Sequence, residues 1–506
     1  MISGFIRNYQ LNPNSPAIIV DDVSYTYQTL FEIANRISSS LPSDEKLIGV
    51  YTDYSVHTYA SIIAVLLKGA GFVPINKKFP KDKIENIIKC SGIKTILCNT
   101  HSIADLEAIN TDAAFSIHTN DQLAGSDNVL NQELRNNHSV SATTIQYVLF
   151  TSGSTGVPKG IGITKSNFAS FLEAMTRTGV YNFNSSDVFL QIFELSFDVS
   201  IACTFIAWEV GACLVPVPTE GIVFIEALEI MKKYDVTVAS MAPSAVAYMK
   251  QLRLLEEFNF PKLRYTFLTG EALPYNLANA WKQVAPDSII ENAYGPTEVT
   301  VWSSMYRLDE VNTPKEIING LVPIGKVLHG LHYIVCDDKL KAVKQGEFGE
   351  LLLNGNQVSD GYWNDATKTS TTFVSLPDNE MKGHWYRTGD IVVENELGNL
   401  VYINRKDNQV QINGFRVELG EIEFRIKEYT KKDSAVVLAF QNKNNTLTLI
   451  SFIENIDNTV NDLKTHLMAT LPPYMIPRKF YSVTAMPLNN SGKIDRKKLM
   501  EMHTEE

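Results

Sequence analysis

The chain is 506 residues long, 44% apolar and 20% charged, too long for one ordinary core and balanced like a globular protein. Lys plus Arg number 45 against 56 Asp plus Glu, a formal charge of −11, which argues against nucleic acid or an anionic membrane as main partner. Five scattered cysteines without a CxxC pair (Cys90, Cys98, Cys203, Cys213 and Cys336) read as buried thiols of a reducing, cytoplasmic chain.

In chain order, the opening "MISGFIRNYQLNPNSP" has no apolar core of signal-peptide length. "LIGVYTD" (47–53) reads as a strand, "TYASIIAVLLKGAG" (58–71) as an amphipathic helix, "GFVPIN" (71–76) as a strand, "PKDKIENIIKCSG" (80–92) as a helix and "KTILC" (94–98) as a strand. The apolar run around residues 61–75 is interrupted by Lys68 and is too short to span a bilayer. The alternation resumes with "FIEALEIMKKYD" (224–235), "VTVASM" (236–241), "LRYTFLT" (263–269), "NLANAWKQVAP" (276–286) and "SIIENAYG" (288–295). Such alternation predicts layered α/β structure with much parallel sheet, in which ligands sit at the carboxyl ends of strands. From about residue 345 the texture becomes β-rich, with "GEFGELLLNG", "HWYRTGD" and "GNLVYINR" divided by Gly, Asn and Asp turns. A smaller α+β unit follows "NRKDNQ", so a boundary is expected at 405–408. No repeat of 20–50 residues and no low-complexity tract is present.

Tyr147–Phe150 reads as a short buried strand that runs into "FTSGSTGVPKG" (150–160). A Gly- and hydroxyl-rich loop after a strand can wrap phosphate oxygens with backbone N–H groups. Ser152, Ser154 and Thr155 add hydroxyl donors and Lys159 adds charge. It is not a Walker loop, because Lys159 follows Pro158 and precedes Gly160. On composition alone, a flexible surface loop is the other reading.

The string "YVLFTSGSTGVPKG" closely resembles the phosphate loop of the adenylate-forming superfamily. Further strings follow in that family's order: "FDVS" (197–200), "LTGEALP" (268–274), "NAYGPTE" (292–298), "GELLLNGNQVSDGYW" (349–363), "YRTGD" (386–390), "NRKDNQVQINGFRVELGEIE" (404–423), "LPPYMIP" (471–477) and "NNSGKIDRKKL" (489–499). The resemblance covers essentially the whole chain. "NAYGPTE" and "SGKIDRKKL" point to the amino-acid-activating branch: a free-standing adenylation domain of the nonribosomal peptide synthetase type, close to the D-alanine–D-alanyl carrier protein ligases. It implies a core of layered α/β sheets with a β-rich subdomain (1–405), a hinge (406–408) and a small mobile α+β domain (409–506).

That family joins a carboxylate to the α-phosphate of ATP and releases pyrophosphate; two anions must meet, and Mg²⁺ is the usual neutraliser. By resemblance, Glu298 is the metal-binding glutamate and Thr297 lies near the α-phosphate. Thr151, Ser152, Gly153, Ser154, Thr155, Gly156 and Lys159 cradle phosphate. Tyr294 stacks on adenine, with Asn292 and Gly295 beside it. Asp390 binds the ribose hydroxyls and Arg405 contacts the nucleotide. Lys493 bridges the substrate carboxylate and the α-phosphate, a task suited to a point charge on a long stem. Asp407 is the hinge, and Gly414 lets a phosphopantetheine arm pass close to the backbone. The sequence departs from the family at Asn404, Gln411 and Asn413, positions that bear on the thiol-directed half-reaction.

Asp198 matches the aspartate that pairs with the substrate's α-ammonium; its bland alternative is a helix N-cap. Alignment onto the family's side-chain pocket selects Val199, Ala202, Ser240, Phe267, Thr269, Ala293, Val301 and Trp302. None is charged, so a charged side chain would go unpaired. Val199, Ala202, Ala293 and Val301 are similar to pockets for tryptophan, which favours a large apolar or aromatic L-amino acid; Phe267 and Trp302 are bulky and leave alanine open. The expected acceptor is a phosphopantetheinylated carrier protein in trans, since no condensation HHxxxDG string and no carrier sequence accompany the chain. Two alternatives stay open: a D-alanine–D-alanyl carrier protein ligase, and adenylation followed by transfer to a small amine or thiol. A non-catalytic nucleotide binder is disfavoured by the joint presence of Glu298, Asp390 and Lys493. A monomer is expected, without nucleic acid or membrane.

Overall fold

A computed structural model describes residues 1–110, 113–121, 141–151, 158–218, 221–376, 383–406, 409–432, 435–442, 446–456, 460–487 and 494–504. The expected alternation becomes two large sheets. One has six strands in the order Ser116–Thr119, Thr95–Cys98, Leu47–Thr52, Gly71–Asn76, Ile145–Thr151 and Lys159–Thr164, parallel except for the last. The other has nine, and its inner strands, Ile289–Tyr294, Tyr265–Thr269, Val238–Met241, Val188–Gln191 and Cys213–Pro216, run parallel.

Two helices are apolar nearly all round and are correspondingly buried. In Val56–Leu67 every residue but His57 is buried, and in Asp198–Val210 so is the whole stretch from Val199 to Glu209. A helix of that composition fits only between layers. The large core accordingly draws residues from both sheets and both helices.

The strand ahead of the glycine-rich loop runs Ile145–Thr151, and Lys159–Thr164 returns antiparallel to it. The next helix, Lys165–Thr176, starts in a capping box between Thr164 and Asn167. Asn167 Nδ2 also donates to the carbonyls of Asn356 (2.8 Å) and Val358 (3.0 Å), tying the end of this hairpin to the β-rich region.

That β-rich region is an antiparallel five-stranded sheet of Leu331–Cys336, Phe348–Gly355, Trp385–Glu394, Phe373–Val374 and Leu400–Arg405. Beyond it come a hairpin of Gln409–Ile412 and Phe415–Glu418 and a three-stranded sheet of Ala435–Gln441, Leu447–Glu454 and Lys479–Val483. Helices Leu419–Thr430 and Val460–Thr470 accompany this sheet, and two apolar clusters draw only on residues from 410 onward. No helix among the described residues is long and apolar enough to cross a membrane. All five cysteines are free thiols, four of them buried and Cys90 half-buried.

Asn413, one of the departures noted in the sequence, now has a local reason. The hairpin pairs Ile412 with Phe415, leaving Asn413 and Gly414 as its two-residue loop. Both have positive φ, 53° and 81°, the combination for which Asn-Gly is the favoured sequence.

Candidate active site

The carboxyl ends of the central strands in the nine-stranded sheet converge on one region, as the α/β pattern requires. Strand Ile289–Tyr294 delivers Asn292, Ala293 and Tyr294, and the short 3-10 turn Thr297–Val299 that follows carries Glu298. Gly295 has no room for a side chain: a Cβ there would lie 2.1 Å from the Val301 carbonyl oxygen. Thr300 and Val301 hold positive φ, 55° and 70°, which is costly for β-branched residues. Gln357 secures that turn. Its carbonyl accepts from Thr300 Oγ1 at 2.6 Å and its amide donates to the Trp302 carbonyl at 3.0 Å.

Glu298 is fully buried. Its Oε1 accepts from the Tyr362 hydroxyl at 2.9 Å and its Oε2 from Arg416 Nη1 at 2.7 Å. Burial pushes this carboxyl up, but the charge and hydrogen bond of Arg416, with help from Tyr362, hold it down at about 2. A hard anionic oxygen suits Mg²⁺. No group of three His, Cys, Asp or Glu able to hold a metal gathers among the described residues. Glu298 would hold a Mg²⁺ ion in competition with Arg416, and the ion would supply positive charge beside the phosphates.

Asp390, on strand Trp385–Glu394, accepts from Tyr294 Oη at 2.5 Å and from Arg405 Nη1 at 2.8 Å. The expected ribose, adenine and nucleotide contacts are thus one connected cluster. Asn292 is buried and spends its amide on the carbonyls of Val322 (3.2 Å) and Pro323 (2.8 Å), leaving Oδ1 as its acceptor. Lys159 Nζ meets Glu418 Oε1 at 2.6 Å. Beside this pair a cavity of about 390 Å³ is lined by Lys159, Lys368, Arg387, Arg405, Arg416 and Glu418 among others. Burial and the neighbouring Lys159 ammonium push Lys368 down to about 8.

Asp198 is the first residue of its helix; Phe197 is the N-cap and makes no side-chain cap bond. The bland N-cap alternative is thereby set aside. Burial pushes its carboxyl up to about 6, against the opposing pull of the nearby Thr297 hydroxyl and Val199 N–H. Its Oδ2 is buried without a hydrogen-bond partner, and so is the hydroxyl of Tyr147, whose own titration feels the Asp198 charge.

The pocket residues Val199, Ala202, Ser240, Phe267, Thr269, Ala293, Val301 and Trp302 are all buried. Phe267 stacks on Trp302 with ring centroids 5.0 Å apart and planes 17° from parallel. Trp302 Nε1 donates to Thr269 Oγ1 at 3.0 Å, which locks the indole in place. Cys203 Sγ reaches Ser240 Oγ at 3.4 Å.

The hairpin loop covers this region. Gly414 N donates to Glu271 Oε1 at 2.8 Å. A Cβ on Gly414 would come within 3.2 Å of Ala242 and 3.3 Å of Phe193. Thr151 ends its strand with a buried, unpartnered hydroxyl. Ser152, Gly153, Ser154, Thr155, Gly156, Asp407 and Lys493 lie outside the described residues. Four residues that the sequence reading did not single out, Tyr362, Arg416, Glu418 and Glu271, do much of the bonding here. Arg416 stood inside the quoted "NGFR", where only the glycine was read for function.

The AMP-binding enzyme family matches residues 5–363. The chain is 29% identical over 502 residues to tyrocidine synthase 3 of Brevibacillus parabrevis, covering 98% of this chain but only 8% of that much longer protein. It is 30% identical over 511 residues to the D-alanine–D-alanyl carrier protein ligase of Bacillus licheniformis, covering 98% of both. The Vibrio cholerae adenylation domain AlmE, solved with glycyl-adenosine-5'-phosphate, superposes with a TM-score of 0.86 over 99% of this chain and 97% of that one. At 24% identity, this likeness speaks to the fold.

Proposed function

The chain belongs to the AMP-binding enzyme family and is an ATP-dependent, AMP-forming ligase, and on that premise we propose that it activates a small amino acid as its aminoacyl adenylate and then passes the acyl group to the phosphopantetheine thiol of a carrier protein in trans. The observation that carries the amino-acid reading is Asp198. A buried carboxylate with one oxygen unpartnered, raised by burial, calls for a cation, and the α-ammonium of an amino acid supplies one.

In this reading the body (1–405) holds both substrates. Asp390 takes the ribose hydroxyls, Tyr294 and Asn292 face adenine, and Lys159 with Thr151 and residues 152–156 holds phosphates. Arg405 adds charge beside Asp390. Thr297, near Asp198, stands between amine and phosphate. Mg²⁺, when bound at Glu298, neutralises the phosphates as charge builds on the transferred group. Lys493, on the domain 409–506, bridges the carboxylate and the α-phosphate. Asp407 is the hinge within 406–408, and Gly414 lines the passage of the pantetheine arm.

The side-chain pocket supports a small substrate. A tryptophan side chain would need the Phe267–Trp302 stack to part and the bond to Thr269 to break; a methyl group needs neither. The similarity to a D-alanine–D-alanyl carrier protein ligase over nearly the whole of both chains supports the same size. The test is amino-acid-dependent exchange of labelled pyrophosphate into ATP over a panel of L- and D-amino acids. Exchange with alanine or an amino acid of similar size is expected. Exchange with tryptophan and not alanine would restore the large-pocket reading, and exchange with no amino acid would overturn the activity.

A further inference from the structure

Glu298 lies in the turn Thr297–Val299 and Arg416 in the hairpin strand Phe415–Glu418, 118 residues away. They meet at 2.7 Å, Glu298 fully buried and Arg416 partly so. The other carboxylate oxygen is taken by Tyr362. A buried carboxylate without a cation is expensive, so Glu298 needs one at every stage. A Mg²⁺ ion demands an oxygen lone pair at about 2.1 Å, in the space the guanidinium fills. The two cations repel and compete for Oε2.

We infer that Arg416 is the exchangeable counter-cation of Glu298: it takes the place of Mg²⁺ when the hairpin docks, and the metal displaces it when the nucleotide arrives. Metal binding at Glu298 and docking of the hairpin are therefore antagonistic. By linkage, each weakens the other by the same factor. Arg416 acts here as a positioning residue: through Glu298 it couples the metal to the placement of Gly414.

The neighbouring contact repeats the logic. Lys159, proposed to face phosphate, is paired instead with Glu418 two residues further along the same strand. Two contacts between body and hairpin thus use groups that the nucleotide and its metal would claim. By contrast, the bond from Gly414 N to Glu271 and the ring contacts of Phe415 with Phe197 and Tyr474 use groups with no such role. They steer the docked hairpin without competing for the metal. This inference rests on the proposed role of Glu298.

The test uses the full chain with a dye pair at exposed positions 311 and 468, a non-hydrolysable ATP analogue, and Mn²⁺ as the metal. Free Mn²⁺ is read from its EPR signal. In the unsubstituted chain, Mn²⁺ with the analogue is expected to change the dye distance. Arg416→Gln should lower the Mn²⁺ midpoint about tenfold and shift the metal-free distance toward the metal-bound one. Arg416→Lys should restore both values. An unchanged midpoint and distance in Arg416→Gln overturns the inference. If that variant does not fold, a dye distance in the unsubstituted chain that ignores Mn²⁺ overturns it instead. The activity reading fails separately, through absence of amino-acid-dependent exchange in the unsubstituted chain.

Discussion

Asp390 and Glu298 are two buried carboxylates of one site, held in different ways. Asp390 takes Tyr294 and Arg405, and all three belong to the sheets of the body. Glu298 takes Tyr362 from the body but Arg416 from the hairpin that follows residue 408. The bonds named for the first cluster lie within the body; those of the second include the hairpin. A site proposed to bind a nucleotide and later admit a thiol arm would use both kinds of contact. Its fixed part lies at the ends of the sheet strands, and its exchangeable part consists of ion pairs and single backbone bonds at a boundary.

The largest expected effect breaks the fixed side. Trp302→Ala removes an indole that is 1% exposed and stacked on Phe267. It should cost about 3–5 kcal/mol of stability, read by denaturant unfolding. Where the chain still folds, exchange with larger amino acids should appear. Unchanged stability together with an unchanged substrate range would mean that the stack does not bound the pocket.

A smaller effect breaks the exchangeable side. Gly414→Ala places a side chain at φ +81° and within 3.2 Å of Ala242. Left-handed strain of about 1–2 kcal/mol should slow transfer to a carrier thiol about tenfold. Adenylation should slow much less, because the body's own cluster is untouched. Equal losses in both half-reactions would contradict the division.

The mildest change sharpens the comparison through pH. Asp198 has its carboxyl raised from 3.8 to about 6 by burial. Between those values the folded chain holds a proton that the unfolded chain has lost. Its contribution to stability is complete below 3.8 and is lost as pH rises through about 6. Asp198→Asn should flatten that part of the stability profile, measured by unfolding midpoints across the window. A profile that keeps its slope in the variant would assign the proton elsewhere.

Much of the fold was legible in the sequence because it depends on short periods. Leu47–Thr52, Gly71–Asn76 and Tyr265–Thr269 are apolar runs of strand length, and Lys81–Ser91 carries its helical stripe. The candidate nucleotide residues stood out as strings, since glycine, hydroxyl and carboxylate at fixed spacing are local facts. The ties between strings were not. Tyr362 is 64 residues from Glu298 and Arg416 is 118, distances that no window spans. The stack of Phe267 on Trp302 was hidden for the same reason. Size and polarity could be read at both positions, but whether the rings lined the pocket or filled it depends on their mutual orientation. The antiparallel return of Lys159–Thr164 was also missed, because an apolar strand carries no mark of direction.

The most direct measurement of the central claim compares alanine with propionate, its amine-free twin, in the pyrophosphate exchange assay with the unsubstituted chain and Asp198→Asn. The account predicts exchange with alanine, none with propionate, and a loss of about 10²–10³-fold with alanine in the variant, the cost of leaving a buried charge unpaired. Equal use of both acids, or full activity in Asp198→Asn, would contradict the claim that this chain recognises its substrate by the amine.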